Sequence, residues 1–325
     1  MPTGQPANRT IRSRLATAAA RVCSLAVCVG IVVRMTVQDR YPALAAAFYM
    51  LSPASICGCA VLAALLFRVG RNRSSGRRMA VVALVCMAWV AMSMFHFHSQ
   101  AIRTAETARV LFWNVFRGPF GWDSILQSIH QENADVIVLA EFGKSRLPPN
   151  FWRKNFPDHP HRRILPREVA VVSKYPIGNS KTIHHNVQGM CHRLTLSIGE
   201  QDVSLMVCDL PSRPYHRRSK SVQQVTEMAA EMKDRPSLIV GDMNTPVNSV
   251  HFSRLRQSYR NAFEVGGQGY HATWPMPLPV LAIDHCWVSR HVDIVACRIK
   301  WTLSSDHRPI VTDLSIRRAA DLTAQ

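Results

Sequence analysis

Leu238-Ile239-Val240-Gly241-Asp242-Met243-Asn244 begins as a buried strand and ends on polar residues that a core would not choose. Four other stretches share that pattern. Leu111-Phe112-Trp113 ends on Asn114, and Ile137-Val138-Leu139-Ala140 ends on Glu141. Asp284 and His285 interrupt Leu281-Ala282-Ile283 and Cys286-Trp287-Val288. Asp306 and His307 lie in Ser304-Ser305-Asp306-His307-Arg308-Pro309, ahead of a last β-rich run. A single strand-end Asp or Asn is usually a turn former. Burying an unpaired carboxylate is costly, so five such clusters together point to one solvent-open site with a cation.

Around these stretches, the region from Ala108 alternates short β-rich runs with amphipathic ones. Strands are predicted at 109–116, 135–142, 168–173, 192–198, 203–210, 237–240, 281–288, 292–300 and 309–314. Helices are predicted at 122–131, 219–233 and 249–257. Many strands with few scattered helices imply two packed β-sheets flanked by helices, a four-layer α/β sandwich.

The order Asn114, Glu141, Gly241-Asp242-Met243-Asn244, Asp284 and Ser305-Asp306-His307 resembles the endonuclease/exonuclease/phosphatase (DNase I-like) superfamily. Val171-Val172-Ser173-Lys174-Tyr175-Pro176-Ile177 and Thr273-Trp274-Pro275 are similar to other family segments, and the likeness spans about 108–316. The Gly-Asp-x-Asn and Ser-Asp-His pair is the specific part. The resemblance implies a metal-dependent phosphoesterase. Glu141 would be the principal ligand of Mg²⁺ or Mn²⁺, assisted by Asn114 and Asp306, since hard oxygen ligands suit those ions. Asp242 would orient or deprotonate the attacking water, and Asn244 would donate to the phosphate. His307 would act on the same phosphate from the side opposite the metal, with Asp284 accepting its other ring proton. The reaction would be in-line attack of water, without a covalent enzyme intermediate.

One position departs from the family pattern. In Val207-Cys208-Asp209-Leu210-Pro211-Ser212, Asp209 stands where many members carry His or Tyr. A carboxylate can donate there only if neighbouring acids raise its pKa. It could instead hold a second cation, or orient Arg213 or His216. The basic stretch Arg213-Pro214-Tyr215-His216-Arg217-Arg218 leaves the same strand end, and Arg213, His216, Arg217 and Arg218 form a candidate phosphate clamp. His161, Arg162, Arg163 and Arg167 form a second basic group, a candidate opposite wall.

The first hundred residues are a different material. They carry 11 Arg, no Lys and one acid, Asp39, for a balance of +10; the remainder has 28 basic and 20 acidic residues, for +8. Three apolar runs, at about 15–33, 42–67 and 79–97, predict three transmembrane helices, because a crossing needs about 20 apolar residues. Arg9, Arg12 and Arg14, and the loop from Arg68 to Arg78, are the basic flanks, which stay inside. The chain is therefore expected to be a multi-pass cell-membrane protein of bacterial type. Its catalytic domain, 106–317, would be joined by a short linker on the non-cytoplasmic side. Cys191, Cys208, Cys286 and Cys297 allow three disulfide pairings, and no CxxC pair argues for zinc. The expected partners are the bilayer and a phosphodiester substrate. Nucleic acid comes first and a phospholipid head group second, as in sphingomyelinase- or inositol-phosphatase-like enzymes. A non-catalytic membrane scaffold is the third reading. Nothing in the pattern singles out a protein partner.

Overall fold

In a computed structural model, residues 6–99, 101–104, 106–184, 189–213 and 217–317 are described. They fall into two compact units that divide between Phe95 and His96.

The first unit is helical: α1 (Pro6–Met35), α2 (Pro42–Met50), α3 (Pro53–Val69) and α4 (Arg73–Met94). Ile11–Met35 and Arg73–Met94 are each long and apolar enough to cross a membrane. The run expected to be one helix over 42–67 is two, bent by 63° between α2 and α3. The cause is local. Ser52 caps α3 by accepting from the Ser55 N–H at 3.2 Å, and Pro53 sits at the start of the helix, where its missing N–H is harmless. The carbonyls left open at the end of α2 are taken by Arg34, which donates to Leu51 (2.5 Å) and Phe48 (2.7 Å). The third run also differs. Its helix starts at Arg73, so Arg73, Arg77 and Arg78 are helical rather than in a loop, and it stops at Met94.

From His96 on, the second unit contains the rest of strand β1 (Phe95–Phe97), then β2 (Thr107–Asn114), β3 (Val136–Ala140), β4 (His161–Leu165), β5 (Val169–Ser173), β6 (Ile177–His184) and β7 (Met190–Ile198). It continues with β8 (Gln201–Asp209), β9 (Ser237–Asp242), β10 (Tyr259–Asn261), β11 (Gly267–Tyr270), β12 (Asp284–Ser289), β13 (Val292–Ile299) and β14 (Ile310–Ile316). Its helices are α5 (Trp122–Glu132), α6 (Phe151–Asn155), α7 (Arg218–Ala230) and α8 (Ala262–Gly266). Two short 3₁₀ turns, Val250–Ser253 and Leu255–Gln257, replace the helix expected at 249–257.

One sheet runs β1-β11-β13-β14-β2-β3-β5-β4, the other β10-β12-β9-β8-β7-β6. Side-chain alternation assigns the layers. Val110, Phe112, Val136 and Val138 pack between the sheets against Leu205, Val207, Leu238 and Val240. Their neighbours Leu111, Trp113, Ile137 and Leu139 face outward under Ile125 and Ile129 of α5. On the second sheet, Met206, Cys208 and Ile239 lie under Val222, Val225 and Met228 of α7. Strands covered on both faces read as unbroken apolar runs, which explains the sequence pattern. Each buried Val or Leu contributes roughly 1.5–3 kcal/mol. The four layers are helix, sheet, sheet, helix, as expected.

Each sheet contains one β-helix-β crossover with parallel strands: β2-α5-β3 in the first and β8-α7-β9 in the second. Parallel pairing brings strand ends side by side, Asn114 beside Ala140 and Asp209 beside Asp242. Gly241 lets β9 run this close to β8, because a Cβ there would lie 2.0 Å from the Cys208 carbonyl oxygen. None of the four cysteines is in a disulfide, and Cys191 and Cys208 face each other with Sγ atoms 2.9 Å apart.

Candidate active site

The two crossovers end at the same rim, where open α/β sheets commonly place ligands beyond the carboxyl ends of parallel strands. Two antiparallel neighbours complete the set. β12 pairs with β9 so that Asp284 lies opposite Asp242. β14 pairs with β2 as far as Ile310 opposite Phe112, which carries Asp306 and His307 to the level of Asn114. The connecting segment is pinned from below: Trp113 Nε1 donates to the His307 carbonyl (2.8 Å), and Ser305 Oγ donates to the Asn114 carbonyl (2.8 Å).

At the centre is a run of hydrogen bonds completed by one close Asp242–His307 ion pair. Asn114 Nδ2 donates to Glu141 Oε1 (3.3 Å) and to Asp242 Oδ2 (3.1 Å), while its Oδ1 accepts from the Phe116 N–H (3.0 Å). Asp242 Oδ2 is 3.8 Å from His307 Nε2, and Asp284 Oδ2 is 2.8 Å from His307 Nδ1. Asp242 also accepts from the Asn244 N–H (2.8 Å), and Asn244 Nδ2 donates to the Leu210 carbonyl (2.8 Å). All of Asn114, Asp242, Asp284 and His307 are buried, whereas Glu141 and Asp306 are half-exposed. Trp274 Nε1 donates to Asp306 Oδ2 (3.1 Å).

The buried trio is electrostatically tense. Burial and the adjacent Asp284 push the Asp242 carboxyl above the usual carboxylate range, with His307 pulling the other way. Burial disfavours the His307 imidazolium, but Asp284 and Asp242 outweigh it and hold its pKa above the usual histidine range. His307 therefore holds a proton more firmly than the same ring in water, and Asp242 is a stronger base than a solvated carboxylate.

Two groups could hold a cation. Asp242, Asp284 and His307 bring one ligand atom each within 4.8 Å of one another. In that group His307 Nδ1 is already matched to Asp284, an arrangement suited to holding a proton. Glu141 and Asp306 offer carboxylate oxygens at the open edge, which fits a small hard ion that retains water.

Asp209 is buried at the end of β8, and its ion pair is with Arg167, at 4.0 Å. Burial, then the nearby Glu141, push its carboxyl up to about 6, against the pull of Arg167, His307 and Arg117. The basic group at 161–167 is split by the β4–β5 hairpin. Arg167 is at the site, while His161 pairs with Ser173 at the other end of the strands, in a groove with Arg162, Arg163, His159 and Arg153. Arg117, which bonds Glu168 (3.1 Å) and approaches Glu141 (3.9 Å), was not signalled by any motif. Arg213 and Arg217 are exposed; Arg218 is buried and donates to the Ser212 carbonyl (2.6 Å), holding its own loop. His216 lies outside the described residues.

Residues 111–307 match the model of the endonuclease/exonuclease/phosphatase family. The chain belongs to that family. No curated protein matches it by sequence. Among solved structures, it is similar to an endonuclease/exonuclease/phosphatase from Beutenbergia cavernae DSM 12333. There the identity is 18% and the TM-score 0.53, over 66% of this chain and 72% of that one. It is also similar to the human Nocturnin catalytic domain with bound sulfate (17%, TM-score 0.51, 66% and 96%). Humanized D. rerio TDP2 gives 16% and 0.51, over 65% and 100%. At these identities the structural likeness speaks for the fold. Members of the endonuclease/exonuclease/phosphatase family are hydrolases of phosphate esters, generally dependent on a divalent metal.

Proposed function

We propose that this chain is a divalent-metal-dependent phosphodiesterase that cleaves by in-line attack of water. The observation that carries the reading is the continuous run Glu141–Asn114–Asp242–His307–Asp284, which joins an open carboxylate to a buried proton-holding pair. Glu141 and Asp306 would hold Mg²⁺ or Mn²⁺, and that ion would neutralise charge on the phosphate and the leaving oxygen. Asn114, whose amide bridges the Glu141 and Asp242 carboxylates, fixes the distance between the two halves. Asp242 orients the water and takes its proton as the oxygen–phosphorus bond forms; its raised pKa suits a base working near neutrality. His307, held by Asp284 with Nε2 pointing inward, stabilises the developing negative charge. Asn244 donates to the phosphate with the amide hydrogen not engaged by Leu210. Exposed Arg213 and Arg217, with Arg167, attract the anionic substrate.

The test is hydrolysis of bis-p-nitrophenyl phosphate by the full chain in detergent. Turnover should require Mg²⁺ or Mn²⁺ and stop with EDTA; metal-independent or absent turnover would overturn the reading.

The helical unit is proposed as a multi-pass anchor in a lipid bilayer, with the catalytic unit on the non-cytoplasmic side. The basis is the two spanning-length helices, the bent pair, and the arginines near their ends. A C-terminal reporter active only outside the cytoplasm is the expected outcome, and a cytoplasmic signal would reject the topology.

A further inference from the structure

Large apolar side chains are exposed in an uneven pattern over the second unit. Nine are exposed among its described residues, and five stand on three loops at the catalytic end. Phe116 (45%) and Phe120 (69%) follow Asn114, Leu278 (78%) precedes β12, and Trp301 (60%) and Leu303 (63%) precede Asp306. The turns at the opposite end are polar: Gly199-Glu200, Lys233-Asp234-Arg235 and Arg290-His291. The three loops are tied to the site and to each other. Phe116 N–H donates to Asn114, Ser305 to the Asn114 carbonyl, and Met276 N–H to the Asp306 carbonyl (2.8 Å).

Exposed apolar surface of this kind is unfavourable by roughly 25 cal/mol per Å² and is seldom concentrated in one place without an occupant. Because it surrounds a phosphate-ester site, the occupant is the substrate or whatever carries it. Two exposed cations are interleaved with it, Arg117 beside Phe116 and Lys300 beside Trp301. Single-stranded nucleic acid is gripped by aromatic faces along a basic groove. Leu278 and Leu303 offer no such face, and both stand out at loop positions. Apolar tips with arginine and lysine set among them match a bilayer surface, where rings and leucines enter the acyl boundary and cations meet the phosphates.

Resting on the phosphodiesterase reading, we propose that this rim seats the active site on a lipid surface and that the substrate is a bilayer-borne phosphodiester, a phospholipid head group. The test uses the full chain reconstituted into vesicles of phosphatidylcholine with a minority of phosphatidylglycerol, supplied with Mn²⁺. Turnover is read on the bilayer phospholipid, on bis-p-nitrophenyl phosphate and on plasmid DNA. Recruitment is the same for every variant, since each is reconstituted, so the ratio of lipid to soluble-diester turnover reads the rim alone. In Phe120→Ser/Leu303→Ser the ratio should fall at least about tenfold, and Phe120→Trp should keep it. An unchanged ratio in the double variant, or a wild type that cuts plasmid and leaves the lipid intact, overturns the inference while sparing the phosphodiesterase reading. Failure to hydrolyse even the soluble diester overturns both.

Discussion

The two halves of the site are built from the same residue types in opposite surroundings. Glu141 and Asp306 are half-exposed carboxylates; Glu141 accepts from Asn114 and lies near Arg117, and Asp306 accepts from Trp274 and Ser305. Asp242 and Asp284 are 2% and 4% exposed and enclose His307 between them. An open carboxylate keeps its charge and can share a cation with water; a buried one gains a proton or a cationic neighbour. Burial alone thus divides a cluster of acids into an ion-holding side and a proton-holding side.

The sharpest break would come at the open side. Glu141→Gln and Asp306→Asn should each abolish metal-dependent hydrolysis, by about a thousandfold or more, with unchanged thermal unfolding in EDTA. Wild-type turnover in either would show that the cation sits elsewhere. At the buried side, His307→Ala should lose more than about a hundredfold in turnover while calorimetric Mn²⁺ affinity stays the same. A matching loss of affinity would merge the two halves into one metal cage. Asp284→Asn should cost about tenfold to a hundredfold and shift the pH–rate profile, because the ring loses the negative charge that holds its proton and faces an amide that can donate instead of accept.

A smaller effect is in stability. Asp209 has a folded pKa raised to about 6 from 3.8. Between those values the folded state holds a proton that the unfolded state has released, so stability falls as pH rises through that window and stays low above it. In EDTA at pH 8, Asp209→Asn should therefore raise stability by roughly 3 kcal/mol, and at pH 3 the gain should vanish. Equal gains at both pH values would mean that charge is not the cause. Smallest of all, Arg217→Ala should change turnover of a soluble diester by less than about fivefold, since its exposed guanidinium is screened by solvent.

The site residues were legible in the sequence because Asn114, Glu141 and Asp242 close, and Asp284 opens, runs covered on both faces, where a polar side chain has no packing reason to be, while Asp306 and His307 stand just ahead of β14. The partnership between strands was not. Nothing in the period of β2 or β8 says that each pairs in parallel with the next long strand, yet that pairing is what sets Asn114 beside Ala140 and Asp209 beside Asp242. Strands β4, β6, β10 and β11 were missed because their pattern is not apolar alternation; His161–Leu165 is a largely exposed edge, and Gly267–Tyr270 contains two glycines; β1 was missed because it was counted into the helix expected at 79–97. Arg167 was placed in the right group and separated from its companions only by the hairpin. The bend between α2 and α3 did have a signal, Ser52-Pro53 as cap and first residue, which counting apolar residues passes over.

Six of the nine non-glycine residues with positive φ among those described stand at the catalytic rim: Phe116, Arg117, Glu141, Arg167, Glu168 and Asn244. For side chains other than Asn, that conformation is disfavoured by roughly 1–2 kcal/mol each. Heat resistance and turnover therefore pull this rim in opposite directions. A library of random variants selected only for surviving high temperature should accumulate glycine at Phe116, Arg117 and Arg167. The survivors would be hardier and slower, so these backbone turns persist through selection on catalysis.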